Sequence, residues 1–339
     1  MGLGNKVRLL VFAPIPDDPT SFYRSMGPIT ALSKSWRDLQ IMAAHQYNWT
    51  SVSMADVLMM QRPCDSSHYQ LLQLAHDMGI PVWVDFDDDN LAVPKDNPQW
   101  ANYQNWQVQE AIVNIARNAD VLSVSTQRLK KKYSAYRHGK SEPLILPNAI
   151  HDSFLHLRNI PQEPRQKMFL WRGTTSHLKN LRSIEAAIIA SARKHLSWDF
   201  TFFGVDPIDI TENIKNAKLE GMCPINDYYK KIVELHPTCL YYPLAQNSHA
   251  QCRSHISWLE GTFAGAVCLA YKNEEFTRPG LLNFSNGEEF CNQVDKIVNG
   301  EIDIDKHVND SWQEIQDKYL LSKINVQRKQ IIEELIASK

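Results

Sequence analysis

The stretch Cys252–Ala270, CRSHISWLEGTFAGAVCLA, carries the pattern that decides the fold. Ile256, Leu259 and Phe263 are three and four residues apart, which predicts a helix with these side chains on one face. The continuous apolar run that follows, AVCLAY, is typical of a strand buried on both faces. A helix followed directly by such a strand indicates one unit of a parallel sheet that is covered by helices.

The same unit recurs along the chain. The other apolar runs that predict buried strands are VRLLVFAP, DVLMMQ, PVWVDF, DVLSVS, PLILPN, MFLWRG, WDFTFFG and TCLYYPL. Helical patterns such as HYQLLQLAHDMG and NLRSIEAAIIASARKH lie between them. Strands that alternate with helices predict an α/β protein with doubly wound parallel sheets.

The alternation breaks near residue 160, in the polar, proline-containing segment RNIPQEPRQK. We therefore predict an N-terminal domain over 1–160, a C-terminal domain over 161–310 and a charged helical tail over 311–339. Two α/β domains leave a cleft between them, and ligands of such sheets bind at the carboxyl ends of the strands.

The composition favours a globular enzyme or binding protein. The 339 residues are 43% hydrophobic and carry a net charge of −2, so no bulk attraction to DNA or anionic membranes is expected. The six cysteines show no CxxC pair and no zinc spacing, which indicates reduced thiols. The first apolar run ends at Pro14, too short to span a membrane, so we expect a cytoplasmic protein, with peripheral membrane contact left open.

A turn with two cations opens the predicted C-terminal domain. Arg172 and Gly173 follow the strand MFLWRG, and Lys179 lies in the helix that comes next. Glycine lets a backbone approach a ligand closely, and the N-terminus of a helix favours anions. The segment therefore predicts a diphosphate site, and the alternative is a solvated loop with ordinary surface charges.

Glu260 lies four residues after Ile256, on or beside the apolar face of its helix. Because an unpaired buried charge is costly, the carboxylate is expected to hold a partner. It can accept hydrogen bonds from both hydroxyls of a ribose. The alternative is a position at the edge of the face, from which the side chain reaches water.

Three further residues follow predicted strands of the N-terminal domain. Tyr23 and Arg24 come after the first strand, and Arg62 comes after DVLMMQ. Their positions predict contacts with an acceptor or with the donor phosphates across the cleft. The alternative for each arginine is simple exposure.

The acidic run VDFDDD, which includes Asp88, contains an Asp-x-Asp pair. Such carboxylates can hold a divalent cation. We favour instead a role on the acceptor side of the cleft, or capping of the following turn. No metal site is predicted.

Taken together and in this order, these segments resemble glycosyltransferases of the GT-B fold, in particular the retaining family four and its phage and bacterial relatives. RSHISWLEGTFAGAVCLA resembles their nucleotide-sugar-binding element, and PLILPNAIHDSF resembles the passage between their domains. VDFDDDNLAVPKDNP and SFYRSMGPITAL resemble their first domain. The resemblance implies two Rossmann-like domains that face a central cleft.

The resemblance also implies the activity. The chain would be a hexosyl- or pentosyltransferase that moves a sugar from a nucleotide-sugar donor to an acceptor hydroxyl, with retention, without a metal and with no cofactor beyond that co-substrate. Arg172 and Lys179 would be catalytic by stabilising the leaving diphosphate. Gly173, Arg253 and Glu260 would bind the donor nucleotide, with Glu260 on its ribose.

Other functions stay open. Many family members carry a second glutamate near the reacting sugar, and Cys252 stands close to that position here. This departure motivates a non-catalytic binding module as an alternative, and an epimerase with paired α/β domains is another. The acceptor would be a glycan, a lipid-linked molecule or a modified DNA base. The basic run TQRLKKKYSAYRHGK could contact phosphates or anionic lipid, or simply be a solvated helix face.

Overall fold

A computed structural model describes residues 6–15, 18–46, 49–160 and 163–338. It contains two six-stranded sheets, and every strand pair in them is parallel. Helices cover both sheets. The structure therefore confirms the predicted fold, a GT-B arrangement of two Rossmann-like sheets.

The first sheet has the strand order β2-β1-β3-β4-β5-β6. Its strands are β1 (Val7–Phe12), β2 (Leu39–Ala44), β3 (Val57–Gln61), β4 (Val82–Phe86), β5 (Val121–Val124) and β6 (Leu144–Ile145). The order reverses between β1 and β3, so a crevice opens beyond the carboxyl ends of these two strands.

The second sheet has the order β12-β11-β10-β7-β8-β9. Its strands are β7 (Gln166–Gly173), β8 (Asp199–Gly204), β9 (Ala217–Gly221), β10 (Pro237–Tyr242), β11 (Val267–Tyr271) and β12 (Leu282–Phe284). Here the order reverses between β7 and β10, and this crevice faces the first one across the cleft.

The helices lie mainly between the strands in sequence. They are α1 (Pro19–Arg24), α2 (Met26–Ser35), α3 (Trp49–Ser53), α4 (Ser66–Asp77), α5 (Trp100–Tyr103), α6 (Trp106–Asn118), α7 (Gln127–Ser134), α8 (Leu178–Arg182), α9 (Glu185–Lys194), α10 (Ile208–Thr211), α11 (Ile225–Leu235), α12 (Ser248–Gln251), α13 (Ile256–Phe263), α14 (Gly287–Val298), α15 (Ile304–Lys318) and α16 (Leu321–Ala337). Short 3-10 turns occupy Asp152–Leu157, Thr175–His177 and Glu274–Phe276.

The central strands form where the sequence is continuously apolar. Every residue of β3, β4 and β10 is buried, because helices cover both faces of each sheet. Helix α13 ends where Gly265 adopts a φ of +79°, which a residue with a side chain rarely tolerates. The strand β11 follows immediately, as the opening segment predicts.

The C-terminal helices join the two halves of the molecule. Helix α15 packs against α13 of the second domain, and α16 crosses back to α2 and β3 of the first. The apolar residues of α16 share a core with Leu9 and Val11 of β1. Asp152 accepts hydrogen bonds from the amide and hydroxyl of Ser322 at the start of α16. The segment 311–339 thus packs against both domains, through the end of α15 on the second and through α16 on the first.

The domain boundary stays a prediction. The first sheet ends at Ile145 and the second begins at Gln166, so residue 160 lies in the connection between them. Residues 161–162, directly after the predicted boundary, lie outside the described part of the chain.

Candidate functional site

A cavity of about 700 Å³ lies between the carboxyl ends of the two sheets. The first domain contributes residues that follow β1 and β3, including Ile15 and Arg62. The second contributes the ends of β7 and β10, including Arg172 and Tyr242. Both topological switch points therefore open into one space.

Glu260 of α13 lies buried at the wall of this cavity, with its side chain 4% exposed. Its Oε2 lies 2.6 Å from Nε of Arg172 and accepts a hydrogen bond from the hydroxyl of Tyr228 at 2.9 Å. Its Oε1 accepts from the hydroxyl of Tyr23, in the first domain, at 2.7 Å. The carboxylate therefore does not reach for bulk water, because it is held by one cation and two phenols.

The two phenols remain donors. Burial, and then the negative charge of Glu260, raise the pKa of Tyr23 and of Tyr228 well above the usual value. Because both stay protonated, each can donate to the carboxylate at any physiological pH. Tyr23 thereby joins α1 of the first domain to α13 of the second.

Arg172 ends β7 and is positioned by the ion pair with Glu260. Burial opposes its charge, but the negative charge of Glu260 and the neighbouring tyrosines raise its pKa above the usual value. Its buried Nη2 has no hydrogen-bond partner among the described residues, although the side chain lines the cavity. The guanidinium therefore retains capacity for an anion.

Gly173 follows at the turn where the backbone enters the cavity. A Cβ atom there would lie 2.6 Å from the ring of Trp171 and 3.0 Å from Cβ of His177. No side chain fits in this space, so glycine is required for the close packing of this turn.

His177, at the end of the turn between β7 and α8, also lines the cavity. Burial, then the positive charges of Arg253 and Arg172 and the nearby His249, lower the pKa of His177 well below its usual value. Its Nδ1 is shielded from solvent and has no hydrogen-bond partner among the described residues. The imidazole is therefore neutral because it is buried and two arginines lie close to it.

Lys179 lies elsewhere. Its Nζ pairs with Asp96 at 2.9 Å, its side chain is 51% exposed, and it lies in a small depression beside the cavity rather than among the residues that line it. The sequence placed Lys179 in the helix after β7 but could not give the direction of that short helix, α8. The structure instead turns His177, five residues after Arg172, toward the cavity.

Arg253 belongs to the second domain and contacts residues of both domains. Its Nη1 lies 3.1 Å from Oδ2 of Asp88, and its Nη2 lies 3.1 Å from Nε2 of His249. His249 is also 3.7 Å from the Asp88 carboxylate and contacts the backbone oxygen of Asp89. Asp88 of the first domain thus lies against Arg253 of the second domain, and both residues line the cavity.

Arg24 lies at the cavity wall but is committed to protein partners. It is 1% exposed and pairs through Nε and Nη2 with both oxygens of Asp85, at 2.9 and 2.8 Å. Its Nη1 donates to the carbonyl of Leu146 and to Oδ1 of Asn148. These contacts hold α1 against the first sheet. Arg24 is therefore neither exposed to solvent nor free to bind a phosphate.

Arg62 follows β3 with a φ of +47°, a left-handed conformation that is uncommon for residues other than glycine. Its guanidinium binds both carboxylate oxygens of Asp87, at 2.9 and 2.6 Å, and the hydroxyl of Thr20 at 3.1 Å. A strained backbone conformation of this kind is stable only where neighbouring contacts hold it, and it is common at functional sites.

The acidic run is paired with basic side chains rather than clustered. Asp87 pairs with Arg62, Asp88 with Arg253, and Asp89 with Lys132 of α7. Among the described residues, three or more side chains of the kind that bind metals bring their donor atoms within 4.8 Å of one another only at Cys64, Asp65 and His68. Asp65 caps α4 and Nδ1 of His68 accepts backbone hydrogen bonds, so these atoms already serve the helix terminus.

Cys252 does not take the place of the second glutamate. Its side chain is buried in the core of the first domain, and its carbonyl accepts a hydrogen bond from Thr126. The residue is absent from the described lining of the cavity.

The basic run TQRLKKKYSAYRHGK is largely structural. Arg137 donates to the carbonyls of Ala116 and Ala119 at the end of α6. Lys130 pairs with Glu142, and Lys132 contacts Asp89.

Among the described helices, none is long and apolar enough to cross a bilayer.

Solved structures share this fold. A glycosyltransferase from Rickettsia africae superimposes with a TM-score of 0.68 at 10% identity, covering 99% of this chain and 100% of that one. HepE from Anabaena, solved in complex with UDP, gives a TM-score of 0.66 at 9% identity, covering 97% and 100%. S. aureus TarM gives 0.60 at 12% identity over 81% of this chain, which spans about half, 54%, of TarM. No protein-family model matches the sequence, and no curated protein matches it.

Proposed function

We propose that this protein is a glycosyltransferase that moves a sugar from a nucleotide-sugar donor to an acceptor hydroxyl. One observation carries the proposal: a cavity at the facing switch points of two Rossmann-like sheets is lined by Arg172, His177 and Arg253, each of which has at least one buried nitrogen without a hydrogen-bond partner among the described residues. Proteins of the same fold include a named glycosyltransferase and HepE, which was solved with UDP-glucose bound.

The side chains of Arg172, His177 and Arg253, here called the cation cluster, would bind the donor diphosphate. Negative charge grows on the diphosphate as the sugar leaves, and preorganised cations in a site shielded from water stabilise it. Arg172 and Arg253 supply fixed charges. His177 is neutral beside these arginines, and two phosphates that offset their positive charge would favour its protonation.

Glu260 would position the nucleotide. A carboxylate offers about four acceptor sites, and Tyr23, Tyr228 and Arg172 occupy three of them. The remaining site can accept one ribose hydroxyl, and a second requires one of the tyrosines to move. A ribose held in this way fixes the reacting carbon relative to the acceptor, which lowers the entropic part of the barrier.

The first domain would present the acceptor from the opposite wall, through Tyr23, Arg62 and Asp88. Closure of the cleft would exclude water, which otherwise hydrolyses the donor. Retention of the anomeric configuration follows from the family resemblance and is part of the proposal.

A donor screen tests the proposed function. Purified protein is incubated with UDP-glucose, UDP-N-acetylglucosamine, GDP-mannose, ADP-glucose and dTDP-glucose, and the released nucleoside diphosphate is followed by mass spectrometry. We expect release from at least one donor, and its loss in Arg253→Gln. Lys194→Gln removes a surface charge that pairs with Asp295 and provides the matched control. Lys179→Gln tests the sequence prediction for that residue separately.

Other products would contradict the proposal. Conversion of the donor into an isomer without release of nucleotide would identify an epimerase. Binding of donors without turnover, even with a broad set of acceptors, would identify a non-catalytic module.

A further inference from the structure

The half of the cavity that the first domain forms is rich in uncharged polar groups. Its described lining includes the side chains of Thr20, Asn90, Asn97, Gln99, Asn102 and Tyr103. Amides and hydroxyls both donate and accept hydrogen bonds, as the hydroxyls of a sugar do.

The basic residues of this half are already neutralised. Among the described residues that the first domain contributes to the cavity, the basic ones are Arg24 and Arg62. Each binds both oxygens of one carboxylate, Asp85 and Asp87 respectively. A phosphate on the acceptor would have to break one of these bidentate pairs, which are strong because both partners are charged.

The carboxylates of the same half offset its arginines. Asp18, Asp87 and Asp88 line the cavity. Burial opposes the charge of Asp87, but Arg62 lowers its pKa below the usual value, so Asp87 is ionised at neutral pH and pairs with that arginine. Among the described residues, this half therefore offers an anionic acceptor no excess of positive charge.

One buried donor in this half lacks a partner. Asn90 is 3% exposed and lines the cavity, and its Nδ2 has no hydrogen-bond partner among the described residues. A buried amide donor without a partner is unfavourable, and a ligand oxygen that accepts its hydrogen bond removes this penalty. Tyr103 also lines the cavity, and burial raises its pKa, so its phenol stays protonated and can donate to a ligand.

We infer that this half of the cavity binds an uncharged, polyhydroxylated acceptor, which is a neutral saccharide rather than a phosphorylated lipid or a nucleic acid. The inference rests on the proposed function and specifies its acceptor. Among the described residues that line the cavity, the guanidinium nitrogens that lack a hydrogen-bond partner belong to Arg172 and Arg253 of the second domain, where the donor diphosphate would use them.

Acceptor preference tests the inference. The five donors named above are mixed, and nucleotide release is measured with neutral oligosaccharides, with the same oligosaccharides phosphorylated, and with single-stranded DNA that carries 5-hydroxymethylcytosine. We expect a neutral oligosaccharide to accelerate release about ten-fold or more over its phosphorylated form. Asn90→Ala should reduce the acceleration when it is expressed as the ratio of acceptor-stimulated to acceptor-independent release in the same variant.

A change of charge sharpens the test. Asp87→Asn keeps the shape of the side chain but releases Arg62, so the variant should shift toward the phosphorylated acceptors. The double variant Asp87→Asn/Arg62→Gln should lose that gain. Thermal melting and donor hydrolysis confirm that each variant is folded.

The outcomes separate the two proposals. Donor hydrolysis with a preference for phosphorylated saccharides or DNA, or with no acceleration by any neutral saccharide, would overturn the acceptor inference alone. Absence of both donor hydrolysis and donor binding would remove the proposed function, and the acceptor inference with it.

Discussion

The ion pair between Arg172 and Glu260 can be measured by a double-mutant cycle. The cycle compares Arg172→Gln, Glu260→Gln and the double variant with the wild type. The side chains are 14% and 4% exposed, and the charged atoms lie 2.6 Å apart. Removal of either partner therefore leaves a buried charge without its counter-ion.

The magnitude follows from the geometry. At 2.6 Å and an effective dielectric constant of about 20, the attraction is about 6 kcal/mol. Desolvation of both ions offsets much of this, whereas loss of one partner costs about 3–5 kcal/mol. The double variant buries no charge at this site, so it should be more stable than the sum of the single changes predicts, with a coupling energy of about 3 kcal/mol.

The assay is urea unfolding followed by tryptophan fluorescence and circular dichroism, with the free energy taken from the transition that both probes report. The matched control is the exposed pair Arg182–Asp209, in which the side chains are about half exposed. Its coupling energy should be about 0.5 kcal/mol or less. A coupling energy for Arg172–Glu260 no larger than that of the control would refute the buried ion pair.

Three further perturbations have defined outcomes. Burial lowers the pKa of His151 to about 4, so stability is retained above pH 6.5 and lost as the pH falls toward 4; urea unfolding at pH 5 should show the wild type losing about 2 kcal/mol more than His151→Gln, and equal losses would exclude this cause. Asp88→Asn frees Arg253 from its carboxylate, so calorimetry should show UDP binding about three- to ten-fold tighter, whereas weaker binding would mean that Asp88 contacts the ligand directly. Gly204→Ala should reduce the free energy of unfolding by about 1–3 kcal/mol, because φ is +109° and the new Cβ would lie 2.3 Å from a backbone oxygen; Gly221→Ala, where that space is open, is the control, and equal stability of the two variants would contradict the clash.

The sequence predicted the interior strands and the edge strand β6, within PLILPN, but it missed the other edge strands, β2, β9 and β12. The strands β3, β4 and β10 are continuous apolar runs, because both of their faces are covered. The strands β2 and β9 lie at sheet edges and are partly exposed, so they lack such runs. A local sequence pattern reflects how deeply a segment is buried. The strands β2 and β9 are not buried deeply enough to produce a continuous apolar run.

Individual positions in the site were harder to predict than the site itself. The spacing around Glu260 indicated a carboxylate that needs a partner, but Tyr23 lies 237 residues away, and only the tertiary fold brings the two together. Lys179 and His177 are only two residues apart in sequence. The path of the backbone places His177 in the cavity lining and Lys179 outside it. The acidic run indicated an acceptor-side role or a cap, and its pairing with basic side chains could not be predicted because those side chains come from other elements.

Calorimetric titration with UDP, GDP, ADP, CDP and dTDP tests most directly whether the cation cluster binds a nucleoside diphosphate. At least one of them should bind with a micromolar Kd, and Arg172→Gln should weaken that binding about 30-fold or more, since a buried charged contact to phosphate is lost. The absence of binding by all five, or the same affinity in the wild type and in Arg172→Gln, would contradict the assignment of this cavity to a nucleotide-sugar donor.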